Sequence, residues 1–239
     1  MLNWSVFKNI VFAAIFAGLL SGLLLTGIQE IKVNPLILQA EVYEELAVQS
    51  KHADDAATLE HIHSAADQQH THEQAWQPAA GNERKLYTLL ANISLAIGFA
   101  LLLGTAICLY GKVNAYTGLL WGLAGYMVFF LAPALGMPPQ LPGAETAPLM
   151  DRQLWWLLTV VVTAAGLTIL VFMRSLKFKL LGLIMLAIPH VIGTPHLEVI
   201  ASAAPQQLTQ AFIYATAFAN VLFWLALGGL VGIFYKKST

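Results

Sequence analysis

Five of the chain's seven histidines stand between His52 and His72, among Asp54, Asp55, Glu60, Asp67 and Glu73. His61-x-His63 and His70-x-His72 repeat one two-apart pair at a spacing of nine. In an extended segment residues i and i+2 face the same way, so each pair can close on one cation through two imidazole nitrogens; on a helix the two would diverge. Imidazole is the commonest side-chain ligand for Zn, Cu, Ni and Co, and a His-rich tract is a compositional metal signal. A solvated polar loop that happens to be rich in histidine is the alternative, and the tract alone does not decide between them.

A second group lies far along the chain. His190 is the one ionisable residue inside an apolar run, where charge is costly to hold, and such residues are functional suspects by default. It follows Pro189, whose missing N–H frees the carbonyl of Met185 as an extra acceptor. Pro195-His196 repeats the Pro-His pair six residues on, with Glu198 beside it. The candidate metal ligands are therefore His61, His63, His70 and His72 in the loop, and His190, His196 and Glu198 as a further station. The competing reading has His190 donating to a carbonyl across a helix bundle and His196 in a wet loop. Met127, Met173 and Met185 are soft donors, but scattered methionines in apolar runs usually pack.

Other chemistries are excluded or disfavoured. Cys108 is the only cysteine, so there is no intrachain disulfide and no Cys-based metal centre. There is no Walker A loop, no mid-membrane carboxylate to relay protons, and no Ser/His/Asp or paired-carboxylate arrangement. We expect no enzyme, no catalytic residue and no permanently bound cofactor. A cation moving here runs down a gradient or takes its drive from another subunit.

The elements that must hold these residues are set by composition. Of 239 residues 58% are hydrophobic and 10% charged, and mean hydropathy is +0.68. A soluble domain carries nearer a quarter charged residues, so this is a membrane chain, expected as an all-α bundle of about six spans. The spans are read at about 10–28, 86–110, 115–135, 153–173, 180–193 and 208–235. The first imitates a signal peptide but is long enough to cross and lacks a close cleavage site, so it is read as a span. Its Gly18, Ser21 and Gly22 make a small-residue face on which another helix can lie.

Gln29 and Glu30 are expected to end that span, and Asn34-Pro35 to cap and start an amphipathic helix. Leu36, Ala40, Tyr43, Leu46 and Ala47 would form its apolar face, with Glu41, Glu44 and Glu45 opposite. The whole chain, 1–239, reads as one integral membrane domain with an outer His-rich loop at 51–85 and a Pro-rich outer loop at 136–152. Trp76 and the Trp155-Trp156 pair are expected at the membrane interface. Asn92 and Asn220 are expected to hydrogen-bond between helices. The segment at 180–193 is short and contains Pro189, so a re-entrant path stays open for it.

Six crossings put both termini on one side, and the charges bear on which side. Lys8, Lys112, Arg174, Lys177, Lys179, Lys236 and Lys237 fall together with no acid among them. Lys32, Lys51, Arg84, Lys85 and Arg152 fall on the other side with all thirteen Asp and Glu. The positive-inside rule then makes the termini cytoplasmic and the His-rich loop external. A surface rich in acids would concentrate cations by long-range attraction.

Along nearly its whole length the chain resembles the CbtA family of cobalt transporter subunits. The resemblance rests on Phe16-Ala-Gly-Leu-Leu-Ser-Gly22, on the Glu41 to Glu45 region, and on Trp76-x-Pro78-x-x-Gly81-x-Glu83-Arg84. It continues through Leu131-Ala-Pro-Ala-Leu-Gly-Met-Pro-Pro-Gln-Leu-Pro-Gly143, the Trp155-Trp156 pair and Pro189-His190-x-x-Gly193. It implies an inner-membrane protein of cobalt uptake with a small single-span, His-bearing companion, CbtB.

The leading expectation is a subunit of a divalent-metal uptake transporter, with cobalt(II) gathered outside by Glu41, Glu44 and the imidazoles and handed to His190 and His196. A membrane-anchored metal-binding accessory or sensor that moves nothing is the first alternative. A haem-bearing electron-transfer subunit is the second, disfavoured because only one histidine lies within a span. Homo-oligomerisation stays open, and no nucleic-acid partner is expected.

Overall fold

The computed structural model describes residues 4–58, 78–79, 81–111, 114–195 and 203–238, of which 51–58 and 237–238 by backbone alone. Among them the regular structure is helical throughout. Helix α1 (Trp4–Ile28) runs through a π turn (Gln29–Val33) into α2 (Asn34–Thr58). Then come α3 (Asn82–Tyr110) and α4 (Ala115–Tyr126), the latter running through a second π turn (Met127–Leu131) into α5 (Ala132–Gly136). Helices α6 (Leu149–Phe172), α7 (Leu176–Ile192) and α8 (Gln206–Ser238) complete the bundle.

Five of these stretches are long and apolar enough to cross a membrane: Trp4–Ser50, Asn82–Tyr110, Ala115–Gly136, Leu149–Phe172 and Gln206–Lys236. Helix α7 has 17 residues, about 26 Å of rise against a hydrocarbon core of about 30 Å. It lies antiparallel to α6 along its whole length, with His190 beside Trp155 at one end and Gly182 against Gly166 further along. It therefore traverses most of the depth of its partner, and the expected segment starts four residues earlier than Leu180. The first and last helices end together: a Cβ at Gly104 would meet both Ile10 and Val231, and the rings of Phe16 and Phe234 lie 5.9 Å apart.

The expected break after Ile28 does not occur. Pro35 has no N–H to give the carbonyl four residues back and would clash with it in an unbroken α-helix. The chain widens by one residue instead: the Asn34 N–H bonds the carbonyl of Gln29, and the Asn34 side chain donates to Glu30 Oε2 at 2.6 Å rather than capping a new helix. The same device recurs before Pro133, where the Ala132 N–H reaches the carbonyl of Met127. Both π turns thus stand directly before an X-Pro pair.

The face of α2 also differs from expectation. Counting from buried Val33, the packed stripe passes through Leu36, Ile37 and Ala40 to Glu41, Glu44 and Ala47, while Tyr43 and Leu46 are exposed. Ala40 is fully buried and belongs to the same apolar cluster as Leu141, Ala204 and Phe212, so α2 stands against the bundle.

Small residues let the helices meet. Gly18 and Gly22 of α1 lie against the backbone of Ile97 and Ile93 on α3, where a Cβ would come within 2.7 Å of either Cα. Ser21 is fully buried in this contact. With lipid as solvent no hydrophobic force pulls helices together, so close backbone approach and dispersion must do it. Gly111, at φ 79°, closes α3 in the left-handed region, as its turn position predicts.

Candidate metal-handling face

His190 occupies the last turn of α7, three residues before the cap at Gly193, on the exposed side of that helix. It is thus at the end of a span. Its ring stands edge-on to Trp155, with centroids 6.4 Å apart. Trp155 is 6% exposed. That corrects its placement as an interface anchor, a position that Trp156, 37% exposed, fits better. The indole is covered by α5, where a Cβ at Gly136 would meet its Cη2 at 2.4 Å and Thr194 Cγ2 at 2.7 Å. Its Nε1 makes no hydrogen bond among the described residues, and its carbonyl accepts the Thr159 hydroxyl at 2.9 Å. Gly136, Trp155, His190 and Thr194 therefore form one corner where α5, α6 and the end of α7 meet.

Above this corner opens a cavity of about 1050 Å³. Its walls are the Pro-rich loop after α5, the start of α6, Thr194-Pro195, and Thr209 and Ile213 of α8. Glu145 and Arg152 are its charged lining, with Gln140, Thr146 and Gln153 as further polar groups. Of the expected ligands, His190 alone has a described position. His61, His63, His70, His72, His196 and Glu198 lie outside the described residues, as does Trp76, and of His52 only the backbone is described. Among the described residues no three histidines, cysteines or carboxylates gather around one point.

The acids nearby are in part already matched. Arg84 Nη2 donates to Glu41 Oε1 at 2.7 Å, and Lys85 pairs with Glu30. Glu44 lies beside the Pro-rich loop, where a Cβ at Gly143 would meet its Cβ at 3.2 Å. The pairing separates Glu41 from Glu44, which the sequence alone does not distinguish. Asn92, buried where α3 meets α1, donates to Thr26 Oγ1 at 3.0 Å and Gln29 Oε1 at 2.7 Å. That interhelical role was expected of Asn92 in kind, while Asn220 bonds the Thr216 carbonyl of its own helix.

This face can do two things chemically. Its carboxylates raise the local concentration of cations, and its single described imidazole offers a borderline donor. No curated protein and no solved structure matches the chain. The family model for probable cobalt transporter subunits (CbtA) matches residues 7–236. A multi-pass helical membrane chain, matched over nearly its whole length, belongs to the CbtA family of cobalt transporter subunits.

Proposed function

We propose that this chain is the membrane subunit through which Co(II) enters the cell, with the ion as substrate. The observation that carries the reading is the segregation of charge along the bundle. Among the residues described with their side chains every acid, Glu30, Glu41, Glu44, Glu45, Glu83, Glu145 and Asp151, stands at the end that holds the large cavity, together with Lys32, Arg84, Lys85 and Arg152, while Lys8, Arg174, Lys177, Lys179 and Lys236 stand at the other end with no acid. By the positive-inside rule the basic end is cytoplasmic, and the acidic end meets ions from outside. Glu44, Glu45 and Glu145 collect the ion there together with His61, His63, His70 and His72. His190 receives it with His196 and Glu198 and hands it inward.

The drive comes from the ion gradient or from a partner, for which a small single-span, His-bearing CbtB-like subunit is the fitting class. Imidazole does not choose cobalt over nickel or copper by affinity, since both bind such sites more tightly, so selection rests on geometry and supply. The test is cobalt uptake in cells expressing His190→Ala, against a variant with His61, His63, His70 and His72 all changed to Ala. Loss in the first and a raised half-saturation in the second support the reading. If both leave uptake unchanged, it fails, and an accessory or sensor role replaces it.

A further inference from the structure

A second cavity, of about 440 Å³, lies between α3, α4 and the inner half of α6. Its walls are apolar, and the hydroxyl of Thr168 within it already donates to the Ala164 carbonyl at 2.7 Å. It therefore suits neither a metal ion nor a file of water. Size separates the apolar occupants. One turn of a helix about 10 Å across and 5.4 Å in pitch fills about 420 Å³, whereas a crossing partner needs more than five turns. The crevice holds a narrow flexible chain, whereas a crossing helix could only lie over its mouth.

Its two ends differ. Toward the bundle centre it is shut by Phe129, stacked on Trp224 at 5.4 Å between ring centroids. At the basic end Tyr110, Trp121 and Phe172 meet, with centroids 5.8–6.5 Å apart. Directly after Phe172 come Arg174, Lys177 and Lys179, all exposed, and none is paired with a described carboxylate. An aromatic cluster at the basic end of the bundle, followed by clustered cations, matches the pattern expected for an anionic lipid.

We propose that this crevice is a binding site for an anionic membrane phospholipid. One acyl chain enters between α4 and α6, and the phosphate rests on the Arg174/Lys177/Lys179 turn. The lipid would fill the gap left where α6 touches the bundle chiefly through the second π turn and α5.

The test uses the purified full chain, stripped of lipid in detergent, with phosphatidylglycerol and phosphatidylcholine of identical chains added and retention read by native mass spectrometry. The expected result is a preference for phosphatidylglycerol of at least about tenfold, given three cations near one headgroup. Changing Arg174, Lys177 and Lys179 to Gln removes the preference and leaves weak binding of both lipids. Ala164→Phe fills the crevice and abolishes retention of both; should it not elute as a folded species, Ala124→Phe on the opposite wall is read in its place. Equal retention of the two lipids by the unmodified chain overturns the proposal, as does phosphatidylglycerol binding that survives the filled crevice. A photoreactive group at Leu167 labels lipid in native membranes if the proposal holds; labelling of a polypeptide there overturns it.

Discussion

The carbonyl oxygen of Trp224 lies 2.2 Å from where a Cβ on Gly122 would stand. The same holds one turn away for Gly118 and the carbonyl of Gly228, and Gly228 returns the contact on Gly118 and Gly122. Helices α4 and α8 therefore touch backbone to backbone, close enough for Cα–H···O contacts.

Gly122→Ala is consequently expected to destabilise the fold by about 1–3 kcal/mol, the usual range for overpacking, because the atom it meets is backbone and cannot swing aside. Gly27→Ala is the control: it also sits in a helix, but nothing lies within 4 Å of its Cβ position. It should be neutral or stabilising by about 0.4–1 kcal/mol. Thermal unfolding of both variants in detergent checks the pair, and a Gly122→Ala midpoint equal to that of Gly27→Ala would show that the helices are not in backbone contact.

Asn92 is expected to couple α1 to α3 through Thr26 and Gln29. Membrane hydrogen bonds of this kind average about 0.6 kcal/mol and reach about 1.7. A double-mutant cycle with Asn92→Ala and Thr26→Ala should return a coupling in that range. A value near zero would mean that the carboxamide finds another partner as readily.

These contacts mark what the sequence could and could not disclose. The spans were legible because lipid demands long apolar runs, and the Gly18/Ser21/Gly22 face was legible because small residues cluster at helical spacing. Their partners were not: Arg84 and Glu41 are 43 residues apart, and a glycine stripe does not say which backbone will lie on it. The two π turns were hidden because a residue before proline is normally pushed out of the α region, so Asn34-Pro35 reads as a boundary. Trp155 misled for a similar reason, since an aromatic near a span end is read as an anchor until α5 is seen to cover it. Of the described corner the sequence singled out His190, but its meeting with Gly136, Trp155 and Thr194 depends on the course of the Pro-rich loop.

Pro133→Ala should separate stability from transport. The substitution restores an N–H to a helix that now detours through Met127–Leu131, so the thermal midpoint should hold or rise, since an interior proline costs a helix about 3 kcal/mol. Cobalt uptake should fall at the same time, because the π turn and α5 are where α6 meets the bundle and set the angle of the α6–α7 hairpin. An unaltered uptake rate in a stabilised variant would show that the widened turn is only a repair of the lost hydrogen bond.

The pairing of Glu41 with Arg84 makes the acidic end uneven, and uptake should report it. Both side chains are partly exposed, 42% for Arg84 and 31% for Glu41, so the pair adds at most about 1 kcal/mol to stability. Its larger effect is to neutralise one carboxylate where cations are gathered. Glu41→Gln should therefore change cobalt uptake at subsaturating metal by less than about twofold, while Glu44→Gln with Glu145→Gln lowers it several-fold at low ionic strength and by less at high salt, where exposed charges are screened. Arg84→Gln supplies the decisive contrast: it frees Glu41 without removing an acid, so uptake should rise or hold. A fall in uptake with Arg84→Gln at unchanged thermal midpoint would mean that the ion pair itself, rather than the free carboxylates around it, belongs to the path.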